Sequence, residues 1–437
     1  MKPTRLLQSA VLLSVIATLC GCITKVSSRS KLAGNAVGGQ TESVGEIKRD
    51  AETPQRLATG KRTYVLLQVD GGGIMGITPA TLLAHLEQEM QRRRPGFQGK
   101  KLKDILSVCL GTSTGSIITG MVTAGVPARD IAGFYTGDGV RLFQSEGRNW
   151  FFPLGPKYKR DKFQDTLFSV LDGTHPRRGE VRLSDLDKQP GGAPLLIIPA
   201  YDLRSKRTHF LRSRGFKDKP LASAYDMQLV DAISCSALNA ALYFGKVTAP
   251  DQHWEYVQAD GSRQMMTGAV YNDGGQGTQN NTLGLALLEA MSRGWGMAND
   301  EQVVVISLGC GDDFTPQSYA RAARISGTAQ LTKFLFMGQA RQEAALLQWR
   351  AGRQLAAYNA NYKVFRFNFV PDKASAFSVN ATQLKELRDT HPGVIFQRRD
   401  FQQLVDDLCN PAVVLNGPVK EEVHENAREL RLAPRGL

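Results

Sequence analysis

The chain has 437 residues, 42% hydrophobic, 22% charged and 8% aromatic, with 54 Lys and Arg against 41 Asp and Glu for a formal charge of +13. That supports one large domain or two ordinary ones with a substantial core, and it excludes a wholly disordered chain, a collagen-like repeat and a disulfide-stapled mini-protein. Only one long apolar run exists, at the very start, which argues against a multi-span membrane protein.

That first run reads as an address. Lys2 and Arg5 precede an apolar stretch from Leu6 to Leu19, interrupted by Gln8, Ser9, Ser14 and Thr18. It is too short and polar for a spanning helix and suits a secretory signal. It ends in Leu19-Cys20-Gly21-Cys22, which resembles a bacterial lipobox with Cys22 as the lipidated residue, because cleavage before Cys20 would put bulky Leu19 at the small-residue position. The alternative is an ordinary signal peptide with incidental cysteines. A lipidated Cys22 would hold the chain on a membrane without a span, and with Ile23 and Thr24 following, no Asp directs inner-membrane retention. The expectation is an exported lipoprotein of the outer membrane. A basic chain tethered there is drawn to anionic headgroups. Nucleic acid is the partner that charge alone would suggest, but no zinc finger, RNP-like run or basic-region helix supports it.

Residues 23–60, rich in Ser, Gly, Thr, Lys and Gln, read as a flexible tether. The globular pattern begins at 64–69, Tyr-Val-Leu-Leu-Gln-Val, as a buried parallel strand. After a glycine loop, Thr78 and Pro79 suit the N-cap and first position of a helix carrying Leu82, Leu83, Leu86 and Met90 on one face. A second strand, 105–110, runs into another glycine-rich turn and a helix over 116–122. Further strands are predicted at 195–199, 303–308 and 364–370, and a long helix over 330–357. The last sixty residues are mixed helix and loop. Alternating strands and helices predict an α/β fold around a mostly parallel sheet. The expected organisation is a signal over 1–21, Cys22 and tether over 22–60, a globular domain over 61–375 and a C-terminal extension over 376–437. Of the cysteines that remain after maturation, Cys109, Cys235, Cys310 and Cys409, none has metal-site or redox-pair spacing.

The loop Asp70-Gly71-Gly72-Gly73-Ile74-Met75-Gly76 contains a G-x-G-x-x-G between strand and helix. A dinucleotide site would need an acid about twenty residues on, where the chain offers Arg92-Arg93-Arg94. An oxyanion hole is a second use, since consecutive glycines bring bare N–H groups close to a reacting oxygen. A tight structural turn is the third, and the loop alone does not choose among them.

The next motif does. Gly111-Thr112-Ser113-Thr114-Gly115 is a G-x-S-x-G with a predicted strand before it and a helix after it, the context of a nucleophile elbow. Gly111 and Gly115 allow the sharp turn that exposes the serine. A third element, Asn272-Asp273-Gly274-Gly275, offers a carboxylate; a serine is a poor nucleophile unless a base removes its proton. Of the histidines, His85, His175, His209, His253, His391 and His424, only the last two stand late enough for a Ser-Asp-His order, and neither lies in a catalytic context.

The combination of DGGGxxG, GTSTG and a later DGG, in that order within residues 63–370, resembles the patatin-like phospholipases of bacteria. Secondary resemblances are Pro199-Ala-Tyr-Asp202, Ser234-Cys-Ser-Ala237 and Ser307-Leu-Gly-Cys-Gly311. The resemblance implies a three-layer α/β/α sandwich and lipid acyl hydrolysis by a Ser-Asp dyad needing no cofactor or metal. Ser113 would be the nucleophile and Asp273 the base. Gly71, Gly72 and Gly73 would form the oxyanion loop, with the Gly72 and Gly73 N–H groups as donors and that of Thr114 assisting. The substrate would be a phospholipid or another lipid ester. Three departures stand out: Met75 replaces a basic residue, Thr282 follows Asn280-Asn281 in place of a proline, and Ser236-Ala-Leu-Asn239 lacks its proline. Finally, Arg148, Trp150, Phe151, Phe152, Lys157, Tyr158, Lys159 and Arg160 interleave aromatic and basic residues, as an interfacial lid would, or as a loop packed on its own domain.

Overall fold

A computed structural model describes residues 56–143, 156–174, 181–214, 226–240, 243–258, 260–276, 278–311, 344, 347–352, 354, 358–372 and 380–418. These all belong to one compact unit. The expected signal, Cys22 and most of the tether lie outside the described residues, as do Trp150, Phe151, Phe152, His175 and His424.

Five apolar runs line up in parallel because each is buried on both faces. They are β1 (Arg62–Val69), β2 (Leu106–Gly111), β3 (Leu195–Asp202), β7 (Glu301–Leu308) and β8 (Tyr362–Phe367), paired in the order β3-β2-β1-β7-β8. The remaining strands were not foreseen. β4 (Arg207–Arg212) folds back antiparallel on β3, and β5 (Val247–Val257) and β6 (Arg263–Asp273) form an antiparallel hairpin that joins β3 through β6. A two-residue β9 (Val414–Leu415) pairs with the start of β1.

Strand alternation divides the core into two layers. Val65, Leu67 and Val69 face one side with Cys109, Ile198 and Ile306, beneath α1 (Ile77–Arg93), α2 (Thr114–Thr123), α3 (Ala128–Thr136), α4 (Arg160–Thr174), α5 (Leu229–Ala237) and α7 (Arg399–Cys409). Tyr64 and Leu66 face the other side with Val108, Ile197 and Val305, against α6 (Leu283–Ser292) and Trp295. Tyr64 and Trp295 stack there with ring centroids 4.5 Å apart. The architecture is a mostly parallel sheet between helical layers, as expected. No helix among the described residues is long and apolar enough to cross a membrane.

Helix α1 begins at Ile77, continuous with a 3-10 turn over Gly73–Gly76, so Thr78 is not its cap. Its hydroxyl instead donates to the Leu387 carbonyl at 2.8 Å. The arginines that stand where a ribose-binding acid would be needed are structural. Arg92 pairs with Glu89 and Arg93 with Asp406, while Arg94 donates to the carbonyls of Leu408, Asn410 and Val413 at 2.7–2.8 Å, closing the end of α7. Residues after 375 thus dock onto α1 and β1. Of the long helix expected over 330–357, the described stretch 347–352 is helical.

Candidate active site

The site is built where β1, β2 and β3 end. β2 closes on Gly111, Ser113 takes φ 53° and ψ −124°, and α2 starts at Thr114. A non-glycine residue at positive φ costs about 1–3 kcal/mol and persists only where its surroundings impose it. Two glycines do so here. A Cβ on Gly111 would overlap the Gly115 carbonyl, and one on Gly115 would overlap the Val69 carbonyl. With both bare, the turn closes, and Ser113 stands partly exposed at the N-terminus of α2, where the helix dipole favours negative charge. The Ser113 N–H is held by Ser236 Oγ at 3.0 Å, and Ser236 in turn donates to the Pro199 carbonyl at 2.6 Å.

That carbonyl marks the place where Asp273 arrives. Along β3, Ile197 is opposite Leu110 on one side and Arg212 on the other, while Ala200 is opposite Asp273 and His209. Since β4 occupies one edge throughout, β2 and β6 share the other, end to end. The strand carrying the serine turn and the strand ending in the aspartate therefore meet beside Pro199. Asp273 is 6% exposed, and its Oδ1 accepts the Gly275 N–H at 2.7 Å. Gly274 must be glycine because a Cβ there would overlap the Pro199 carbonyl.

The glycine loop lies against the same turn. Gly72 is extended (φ 174°) and Gly73 left-handed (φ +58°). A Cβ on Gly72 would overlap the side chain of Cys310, and one on Gly76 would lie 2.6 Å from Thr114 Oγ1. The N–H groups of Gly72, Gly73 and Thr114 make no hydrogen bond within the described chain, which leaves three donors for a developing oxyanion. Gly71 does not belong with them: its N–H donates to the Asn280 carbonyl at 3.3 Å. Thr114 is steadied by Tyr135, whose hydroxyl bonds its Oγ1 and donates to its carbonyl at 3.0 Å. Burial pushes the Tyr135 phenol far above its ordinary value, so it stays a neutral donor.

Behind the loop is a buried ionic network. Asp70 is 1% exposed and takes both arms of the Arg366 guanidinium, at 3.0 and 2.6 Å. Gln68 Nε2 and Asn281 Nδ2 donate to Asp70 Oδ1 at 2.8 and 2.9 Å, and Arg366 also reaches Ser307 Oγ at 2.9 Å. Asn281 Oδ1 accepts the Leu283 N–H at 2.9 Å at the start of α6. Arg366, on β8, thus fixes the residue that begins the glycine loop. Nothing in the sequence marked it beyond a charge inside the apolar strand Val364-Phe-Arg-Phe367.

The other candidates have structural partners. His391 bonds Glu386 at 2.8 Å and stacks on Phe369, His85 packs tilted against Phe396, and His253 Nδ1 lies 2.9 Å from the Asp251 carbonyl. His209 contacts Ser205 Oγ and the Tyr271 hydroxyl, both at 3.1 Å, and burial holds its imidazole below its ordinary value although Asp202 opposes this. Burial would raise the Asp202 carboxyl, but N–H groups of Val270 and Ser205 outweigh it and bring it below its usual range. Met75 is buried in the core. Cys109, Cys235, Cys310 and Cys409 are buried thiols outside any disulfide, Cys310 Sγ donating to the Asp70 carbonyl at 3.1 Å and Cys109 pushed up to about 12 by burial. Among the described residues no group of His, Cys, Asp and Glu could hold a metal. At the described end of the aromatic–basic run, Tyr158 is core, packed on Phe163 and Phe244, and Arg160 donates to the carbonyls of Leu238 and Phe244.

Comparison with known proteins adds a family. A model described as patatin-like phospholipase matches residues 67–287, which run from β1 into α6 and include all three motifs. Patatin-T5 of Solanum tuberosum is 36% identical over 146 residues, covering 31% of this chain and 36% of that protein. Patatin-like protein 2 of Oryza sativa subsp. indica is 27% identical over 291 residues, 60% of this chain and 64% of that protein. The chain therefore spans between about a third and just under two thirds of these curated relatives. Among solved structures, VipD from Legionella pneumophila aligns over 80% of this chain and 67% of its own, with a TM-score of 0.40 at 13% identity.

Proposed function

The chain belongs to the patatin-like phospholipase family, and from that premise we propose that it hydrolyses carboxylic esters of membrane lipids, as a phospholipase A or lysophospholipase, through an acyl-serine on Ser113. Asp273 takes the Ser113 proton as Oγ attacks the ester carbonyl. The oxyanion forms against the N–H groups of Gly72, Gly73 and Thr114 and the positive end of α2. Collapse breaks the bond to the alcohol, which leaves with the proton held by Asp273. Water then gives a proton to Asp273 as it attacks acyl-Ser113, and that proton returns to Ser113 Oγ when the fatty acid departs. The observation that carries the reading is the strained Ser113, at the head of a helix and end to end with the strand that finishes at Asp273.

The test is a fluorophosphonate, which labels serines whose hydroxyl is activated. The full chain in detergent with EDTA should be labelled at Ser113 and should release fatty acid from mixed phospholipid vesicles. A chain that is neither labelled nor releases fatty acid from any of several lipids would instead be an inactive lipid- or protein-binding scaffold of the same family.

We further propose that the chain is exported and anchored through lipidated Cys22 at the bacterial outer membrane, a reading that rests on Leu19-Cys20-Gly21-Cys22. Palmitate fed to expressing cells should label the wild type. Cys22→Ser should abolish the label and move the protein from the membrane to the soluble fraction. Label retained in Cys22→Ser would refute the anchor.

A further inference from the structure

Asn280 is 1% exposed and grips Gly71 from both ends: its carbonyl accepts the Gly71 N–H, and its Nδ2 donates to the Gly71 carbonyl, each at 3.3 Å. A carbonyl only accepts, so the amide nitrogen must face Gly71 and the orientation of the side chain is determined. Its Oδ1 therefore points the other way, buried and without a hydrogen-bond partner. Such orphaned acceptors are rare and call for a reason. Here Oδ1 is wedged between two glycines. A Cβ on Gly71 would lie 2.5 Å from it and one on Gly275 2.6 Å. The oxygen thus rests on the bare Cα–H groups of both, a weak contact open only to glycine. The same point on Gly71 is 2.9 Å from Ser113 Cβ, and that on Gly275 is 3.1 Å from Asp273 Oδ1.

We propose that Asn280 is a positioning residue that clasps the glycine loop to the aspartate loop and so sets where the oxyanion donors stand relative to Asp273. This rests on the roles given above to Ser113 and Asp273. Gly275 follows as a consequence: it is glycine to admit the Asn280 oxygen.

The test is a double-mutant cycle on the full chain, measuring kcat, KM and thermal stability with a soluble short-chain ester. Asn280→Ala should lower kcat about tenfold or more with KM little changed, because misplacement of about 1 Å can cost about 10²-fold. Gly275→Ala should cost about 10²-fold alone and clearly less in the Asn280→Ala background, where the Oδ1 it would overlap is gone although the 3.1 Å approach to Asp273 Oδ1 remains. Gly71→Ala should not be rescued by Asn280→Ala, since Ser113 Cβ still stands in the way. Asn280→Asp provides a readout that packing alone does not move: a second carboxylate beside Asp273 should shift the acid limb of kcat/KM up by about one pH unit or more. This variant also serves if the alanine proteins fail to fold. An active wild type whose Asn280→Ala retains kcat, whose Asn280 and Gly275 effects multiply, or whose Asn280→Asp leaves the acid limb in place overturns this inference alone. A wild type that hydrolyses nothing overturns the Ser113–Asp273 reading and this inference with it.

Discussion

Ser113→Ala should lower kcat/KM for ester hydrolysis by about 10⁴-fold or more and abolish the covalent acyl adduct, with no loss of thermal stability. The size follows from the division of labour in such sites. Removing a nucleophile ends covalent catalysis, and what survives comes from the oxyanion donors and substrate binding. The fold is spared because alanine meets the same backbone restriction at φ 53° that serine already bears. The Ser113 contact to Ser236 is also made by the main chain and remains. Asp273→Asn should remove the proposed base while its side-chain oxygen still accepts the Gly275 N–H, so activity should fall by about 10²–10⁴-fold with structure kept. The two losses are not additive, since a base without a nucleophile has nothing to deprotonate. The double variant should therefore be no slower than Ser113→Ala. The measurement is single-turnover acylation followed by intact mass. An acyl adduct on Ser113→Ala, or an Asp273→Asn variant with wild-type kcat, would remove the dyad from the mechanism.

What could be read from the chain was what depends on neighbours in sequence. Strands β1, β2, β3 and β7 announce themselves as apolar runs because both their faces are buried. The serine elbow is equally local: strand, glycine, serine, glycine and helix lie within one short segment, and the clash of Gly111 with Gly115 is settled inside it. β4, β5 and β6 escaped because their faces are half exposed and carry Arg207, Asp251, Glu255 and Arg263, which break the alternation. Missing β6 meant that Asp273 was legible as a motif but not as the end of a strand abutting β2. The fates of Gly71 and Arg366 were illegible for a different reason. Whether the Gly71 N–H is free depends on the Asn280 carbonyl, more than two hundred residues away, and the partner of Asp70 lies on the last long strand of the sheet. Arg366 also falls beyond the residues matched by the family, 67–287.

Arg366→Met should destabilise the protein by about 3–5 kcal/mol, because it leaves the Asp70 carboxylate buried without its counter-charge. Gln68 and Asn281 still donate to Asp70, but neither carries charge. Arg366→Lys restores the charge without the fork. An ammonium cannot reproduce two parallel bonds to both carboxylate oxygens, so it should recover stability only in part. Asp70→Asn combined with Arg366→Met removes the charge from both partners and should be clearly more stable than Arg366→Met alone, since a neutral pair has no ionic desolvation to offset. Function should not follow stability. Asp70 leads into Gly71–Gly73, and its orientation is imposed by the guanidinium and by Asn281 together. The double variant should therefore fold well yet retain a depressed kcat, while wild type alone has both. Denaturant melts with kcat measured on the same four proteins decide the matter. A cost below about 1 kcal/mol for Arg366→Met would mean that water already reaches Asp70, and a double variant with full kcat would mean that the network holds the sheet together without placing the glycine loop.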